Sequence, residues 1–160
     1  MPQNRGKQFE GVIKQAFERI RGVSVDRIPD QTNGYKNSSN VCDFMVYKYP
    51  YQYYIECKSV HGNTFPLSNV SKNQREGMLK KSKIMGVVAG VIIWWIDRDV
   101  TKFIPIQVIE HERVAGAKSL RYDSKAFSNI EMRGHKKRVF FDYDMDYFFH
   151  TVEKQLIGRG

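Results

Sequence analysis

Apolar residues recur near the start of the chain at spacings of four and three. Phe9, Ile13, Phe17 and Ile20 form one stripe, the mark of an amphipathic helix. Asn4 can cap its start and Gly22 can end it, so the pattern predicts a helix over 4–21. The period then shortens. Strands are predicted over 23–28, 41–47 and 52–58, with the turn KYPY at 48–51 joining the last two. Ser71 can cap a second helix over 72–83. The run VVAGVIIWWI, 87–96, is the most apolar of all and predicts a central strand covered on both faces. Trp94 and Trp95 would then point to opposite faces, both into core. Further strands are predicted over 101–106 and 139–143, and a closing helix over 144–157. The segment 29–40 is rich in Asn, Ser, Gly and Asp and predicts a loop. Residues 61–70 look irregular, and 108–134 mixed and basic. The order implies one α/β domain over 1–160, a mixed central sheet flanked by helices.

The hairpin carries the first chemical signal. A turn at KYPY that pairs Tyr47 with Gln52 also pairs Phe44 with Ile55 and Val46 with Tyr53. Those four make an apolar face. On the other face Asp43 falls opposite Glu56, with Lys58 two places further along. Opposed positions have Cβ atoms roughly 4.5–5.5 Å apart, and like charges there destabilise a sheet. Protonation, Lys58 or a divalent cation can offset the repulsion. Magnesium does so best, because it accepts one or two carboxylates and keeps several waters. Two ligands and a fixed positive charge suit phosphodiester hydrolysis. The bland reading is a surface face with a Glu–Lys pair. The same register sets Cys42 opposite Cys57 on the buried face, where two packed thiols are expected.

Composition narrows the setting. The chain is 41% hydrophobic and 13% aromatic, enough for a packed core. The run at 87–96 is too short to span a bilayer, and MPQNRGKQFE holds no apolar signal core. A cytoplasmic protein with no membrane association is expected. The net charge is +9, which favours a polyanionic partner, nucleic acid before membrane. The two cysteines form no CxxC, so no structural zinc site is expected. His61, His111, His135 and His150 show no ligand spacing.

Asp43 followed thirteen positions later by Glu56-Cys57-Lys58 resembles the PD-(D/E)XK nuclease signature. The run ECKSVHGNTFPLSNVSKNQ, with Asn4-Arg5-Gly6 and Glu10, is similar to the RecU-type Holliday junction resolvases. That resemblance covers about 4–106. The length is also near that of the archaeal Hjc-type resolvases, which share the nuclease core. The resemblance implies a restriction-endonuclease-like fold and a homodimer. It also implies magnesium or manganese dependence and paired nicks across a four-way DNA junction, in a bacterial or phage setting. Asp43 and Glu56 would be metal ligands with the Cys57 backbone carbonyl, and Lys58 the catalytic lysine. Glu10 would be a further acid near the metal, or else a solvated carboxylate beside Lys7 and Lys14. Gln74 would be drawn into the site from the second helix, and Ser68 toward phosphate; both fit equally as surface polar residues. The loop at 29–40 is too short for the RecU stalk.

Basic residues supply candidate DNA contacts. Arg5 and Lys7 flank Glu10. Lys72, Lys80, Lys81 and Lys83 mark the second helix. Arg133, Lys136, Lys137 and Arg138 close a span, 112–138, that carries eight basic and three acidic residues. Contacts of this kind bring affinity without reading sequence. A solvated basic face is the alternative. Phe140, Phe141, Phe148 and Phe149 are expected either in the core or in a two-fold dimer interface. Two other functions stand beside junction resolution: a duplex-cutting or repair nuclease on the same core, and a non-catalytic DNA-binding module.

Overall fold

The computed structural model describes residues 4–29 and 40–157. The first helix, α1, is Arg5–Glu18. The Asn4 side chain caps it by accepting from the Lys7 N–H at 3.1 Å. It stops before Arg21, and Gly22 takes up a left-handed φ of 79° in the turn that follows. The strands β1 (Val23–Arg27), β2 (Phe44–Lys48) and β3 (Tyr51–Val60) form an antiparallel meander. β4 is Thr64–Pro66, and α2 is Lys72–Ser82. β5 (Val87–Trp95) and β6 (Val100–Pro105) lead into α3 (Ile106–Val114). Short strands follow: β7 (Ser119–Arg121), β8 (Ile130–Glu131), β9 (Gly134–Lys136) and β10 (Phe141–Tyr143). The last helix, α4, is Met145–Val152 and runs into a π-helical turn at Glu153–Ile157.

The main sheet has the order β1-β2-β3-β5-β6-β8. β3 and β5 pair in parallel and all other neighbours are antiparallel, which makes the mixed α/β architecture expected from the pattern. Helices cover both faces. On one, Phe9, Phe17, Phe148 and Phe149 of α1 and α4 pack against Phe44, Val46, Tyr53 and Ile55. On the other, Met78, Ile106 and Ile109 of α2 and α3 pack against Val91, Ile93 and Trp95. β5 therefore alternates between two cores, with Trp94 in the first and Trp95 in the second. Two small sheets, β4–β7 and β9–β10, extend the body.

Several expectations change. β2 begins at Phe44 rather than at residue 41. The segment 61–70 is not wholly irregular, because β4 finds its partner β7 more than fifty positions away. Pairing at such separation leaves no local signal. α3 falls in a stretch with only Ile106 and Ile109 buried, too short a stripe to read as a period. Of the four clustered phenylalanines, Phe148 and Phe149 are fully buried, and Phe140 and Phe141 pack against the same core. The core reading is the one observed. Most of the loop at 29–40 lies outside the described residues.

Candidate active site

β3 carries the centre of the site. Glu56 and Lys58 share a strand face, and Lys58 Nζ stands 3.4 Å from Glu56 Oε1. The hairpin register is the expected one: Phe44 pairs with Ile55 and Tyr47 with Gln52. Asp43 lies one residue before the ladder begins. Its N–H donates to the Ile55 carbonyl at 3.1 Å, and its own carbonyl accepts from Ile28 N–H at 2.8 Å. Its Oδ2 then accepts the Cys57 N–H at 2.8 Å. The Asp43 backbone and side chain thus bond the residues on either side of Glu56, which brings the two carboxylates together.

The alternative reading, a surface face with a Glu–Lys pair, is not the arrangement observed. Glu56 is only 4% exposed, because α2 covers its side of β3. Gln74, in the first turn of α2, donates Nε2–H to Glu56 Oε1 at 2.9 Å. The same Gln74 side chain accepts from Ser71 N–H, while Ser71 Oγ accepts from Gln74 N–H. This capping box fixes the residue that holds Glu56. The other carboxylate oxygen, Glu56 Oε2, is buried and has no hydrogen-bond partner among the described residues.

The electrostatics follow from burial. Desolvation pushes the Asp43 carboxyl up to about 6; Glu10 raises it further, while the Cys57 N–H, Lys58 and Arg27 oppose the rise. Desolvation pushes Glu56 up to about 7, with Asp43 adding to it and Lys58 and Gln74 opposing. Two buried acids that repel each other favour the proton or a cation. Glu10, on α1, faces Asp43 closely enough to repel it. It is not paired with Lys7 or Lys14: Lys14 bonds Glu18, and Arg27 Nε donates to Glu10 Oε1 at 2.7 Å. Arg27 is the residue that the sequence reading missed. One basic residue at the end of a short exposed strand offers no pattern to find it by.

Cys42 and Cys57 do not face each other. Without a ladder before Phe44, Cys42 turns into the second core and donates Sγ–H to the Phe44 carbonyl at 3.2 Å, while Cys57 packs against the first core. Both are free thiols. Burial raises both, Cys42 to about 12.

The basic residues divide by position. Arg5 and Lys7 are exposed in the first turn of α1. Ser68 is exposed in the 3-10 turn before α2. Lys72 is exposed and sits 4.0 Å from Glu76. Lys80, Lys81 and Lys83 lie at the opposite end of α2, ~10 Å beyond Gln74 at the helical rise, so the fold carries them away from the carboxylates. Lys81 rests over the Tyr54 ring. Arg133 covers the Tyr147 ring at 4.2 Å, and Lys136 pairs with Asp99 at 2.5 Å. Lys137 and Arg138 are exposed.

Among the described residues, no group of three or more His, Cys, Asp and Glu side chains is arranged to hold a metal ion. The donor set still suits magnesium: two neighbouring carboxylates, one with a buried oxygen lacking any donor, fit an ion that takes one or two carboxylates and completes its shell with water.

The molecule is thus a mixed α/β protein in which a buried glutamate and a half-buried lysine on one strand meet an aspartate just before the start of its neighbour. The chain belongs to the archaeal Holliday junction resolvase (Hjc) family, whose model matches residues 1–137. Among solved structures it is similar to Hjc of Archaeoglobus fulgidus, a Holliday junction resolvase from an archaeal hyperthermophile. The two are 18% identical over 79% of this chain and 88% of that one, with a TM-score of 0.49. No curated protein matches the chain. The family is an archaeal one and gives no support to the expected bacterial or phage setting. No helix among the described residues is long and apolar enough to cross a membrane.

Proposed function

We propose that this chain is a magnesium- or manganese-dependent endonuclease that cuts four-way DNA junctions, working as a homodimer in the cytoplasm. One observation carries the chemistry: half-buried Asp43 and buried Glu56 stand close enough to repel each other, and Glu56 Oε2 has no donor among the described residues. Family membership carries the substrate. Asp43 and Glu56 would hold the ion, joined by the Cys57 carbonyl, with Glu10 as a further acid if Arg27 releases it. The bound ion would lower the pKa of a water and clamp the scissile phosphate. Lys58 Nζ orients that water or stabilises the charge that develops on phosphate oxygen. Gln74 keeps Glu56 Oε1 in place so that Oε2 faces the ion. Two protomers related by a two-fold axis would match the symmetry of a junction and supply both nicks.

The test is cleavage of a four-way junction beside a linear duplex of equal sequence, in magnesium and with a chelator control. Selective cutting of the junction, lost on chelation, is expected. Equal cutting of the duplex discards junction selectivity in favour of a general nuclease. Asp43→Asn and Glu56→Gln should each abolish cleavage and keep junction binding; full cleavage by either one removes the assigned site.

A further inference from the structure

The strand that carries Glu56 and Lys58 ends at Val60, ~7 Å beyond Lys58 at the usual strand rise. The chain then enters the loop His61–Gly62–Asn63, and two other segments close on it. Asp97 accepts from Gly62 N–H at 2.7 Å and contacts the His61 ring at 3.1 Å. Tyr122 N–H donates to the Asn63 carbonyl at 3.0 Å. Arg98 Nε donates to Asn63 Oδ1 at 2.6 Å.

Tyr122 is the centre of this cluster. The Arg98 guanidinium lies 5.2 Å from its ring centroid and the Arg121 guanidinium 5.4 Å. Both arginines are exposed, and the ring is half-buried. An aromatic face holding a guanidinium keeps it planar and poorly hydrated. That is the state in which a guanidinium best accepts a bidentate oxyanion. The pairing leaves this capacity open. Arg121 uses Nε on Asp123, and Arg98 uses Nε on a neutral amide. Neither has a bond to its terminal nitrogens among the described residues. Arg113, by contrast, spends both Nε and a terminal nitrogen on Glu110. Asp97, beside Arg98 in the chain, is already held by Gly62 and His61.

We propose that Arg98 and Arg121, stacked on Tyr122, form a backbone-phosphate subsite that receives the DNA strand where it leaves the catalytic strand β3. This rests on the nuclease reading above, since it places the subsite along the path of a substrate whose scissile phosphate sits at Asp43 and Glu56. The subsite is a docking surface and takes no part in the chemistry. It reads charge and not sequence.

Binding of a four-way junction in EDTA, with no cleavage, tests it. Each phosphate contact contributes about 0.9 to the slope of log affinity against log salt. The pair Arg98→Ala with Arg121→Ala should therefore lower that slope by about two. Between 50 and 200 mM salt the wild-type protein should lose roughly tenfold more affinity than the double variant. Cleavage at saturating junction in magnesium should stay within twofold. Should the alanine pair fail to fold, Arg98→Gln with Arg121→Gln carries the same expectation, because glutamine still covers the ring. An unchanged slope in a folded variant overturns the subsite and makes the stack a latch on the loop. A wild type that binds junctions with the expected slope yet never cuts them sinks the nuclease reading and leaves the subsite standing.

Discussion

At the residue scale, Glu56 shows how burial turns an ordinary carboxylate into a group that needs a partner. Its raised pKa has a consequence for stability. A carboxyl held high in the folded state favours folding while protonated. That contribution is complete below about pH 4, the range of an unfolded Glu, and fades as pH rises through about 6 for Asp43 and about 7 for Glu56. Metal-free protein should therefore melt lower at pH 8 than at pH 5. For Glu56 the loss is on the order of 2–3 kcal/mol, or roughly 5 °C at this size. Glu56→Gln removes the charge and should flatten the profile. Parallel melting curves for the two proteins in a chelator would show that the carboxyl is not strained by burial. Magnesium added at pH 8 should raise the wild-type melting temperature and leave that of the variant nearly unchanged, because binding to the folded state alone stabilises it.

At the element scale, α2 matters for its first turn. Ser71 and Gln74 cap each other, and Gln74 donates to Glu56. Ser71→Ala should cost about 1 kcal/mol in stability. It should also slow cleavage several-fold, since Gln74 loses the contact that orients it. Gln74→Ala should slow cleavage more than Ser71→Ala while destabilising the fold no more. The opposite ranking in a single-turnover assay would make the helix cap, and not the Glu56 contact, the functional link. β5 has its own constraint. A Cβ at Gly90 would stand 2.5 Å from the Phe103 ring and 2.6 Å from the Ile104 carbonyl. β6 crosses there at a distance only glycine permits, so Gly90→Ala should cost several kcal/mol and fail to give soluble protein. A well-folded Gly90→Ala protein, read by its near-ultraviolet circular dichroism, would mean that the sheet can open at this crossing.

At the scale of the whole molecule, the net charge of +9 is spread over several faces and not concentrated at the carboxylates. Arg5, Lys7 and Lys72 lie on elements that also bring in Glu10 or Gln74, whereas Lys80, Lys81 and Lys83 lie at the far end of α2. Charge reversal should therefore differ by face. Arg5→Glu with Lys7→Glu should weaken junction binding tenfold or more at moderate salt. Lys80→Glu with Lys83→Glu should change it by no more than about threefold, as expected for charges removed by more than a screening length. Equal losses, measured by titration at one salt concentration, would mean that DNA wraps the far end of α2 as well.

Local pattern alone determined much of this protein. The helix stripe of Phe9, Ile13 and Phe17, the apolar run of β5 and the hairpin register that pairs Phe44 with Ile55 each arise from neighbours in the chain. Side-chain period and turn length therefore suffice to find them. The acidic pair was legible for the same reason, being two places on one hairpin. Tertiary structure decided what lies between distant segments: α2 descending on Glu56, Arg27 taking Glu10, Cys42 and Cys57 parting into separate cores, and Tyr122 reaching Asn63. Such contacts depend on how helices pack over the sheet, and no spacing along the chain encodes that. The burial that raises the Glu56 carboxyl belongs to this second kind, because a carboxylate is desolvated only by what folds over it.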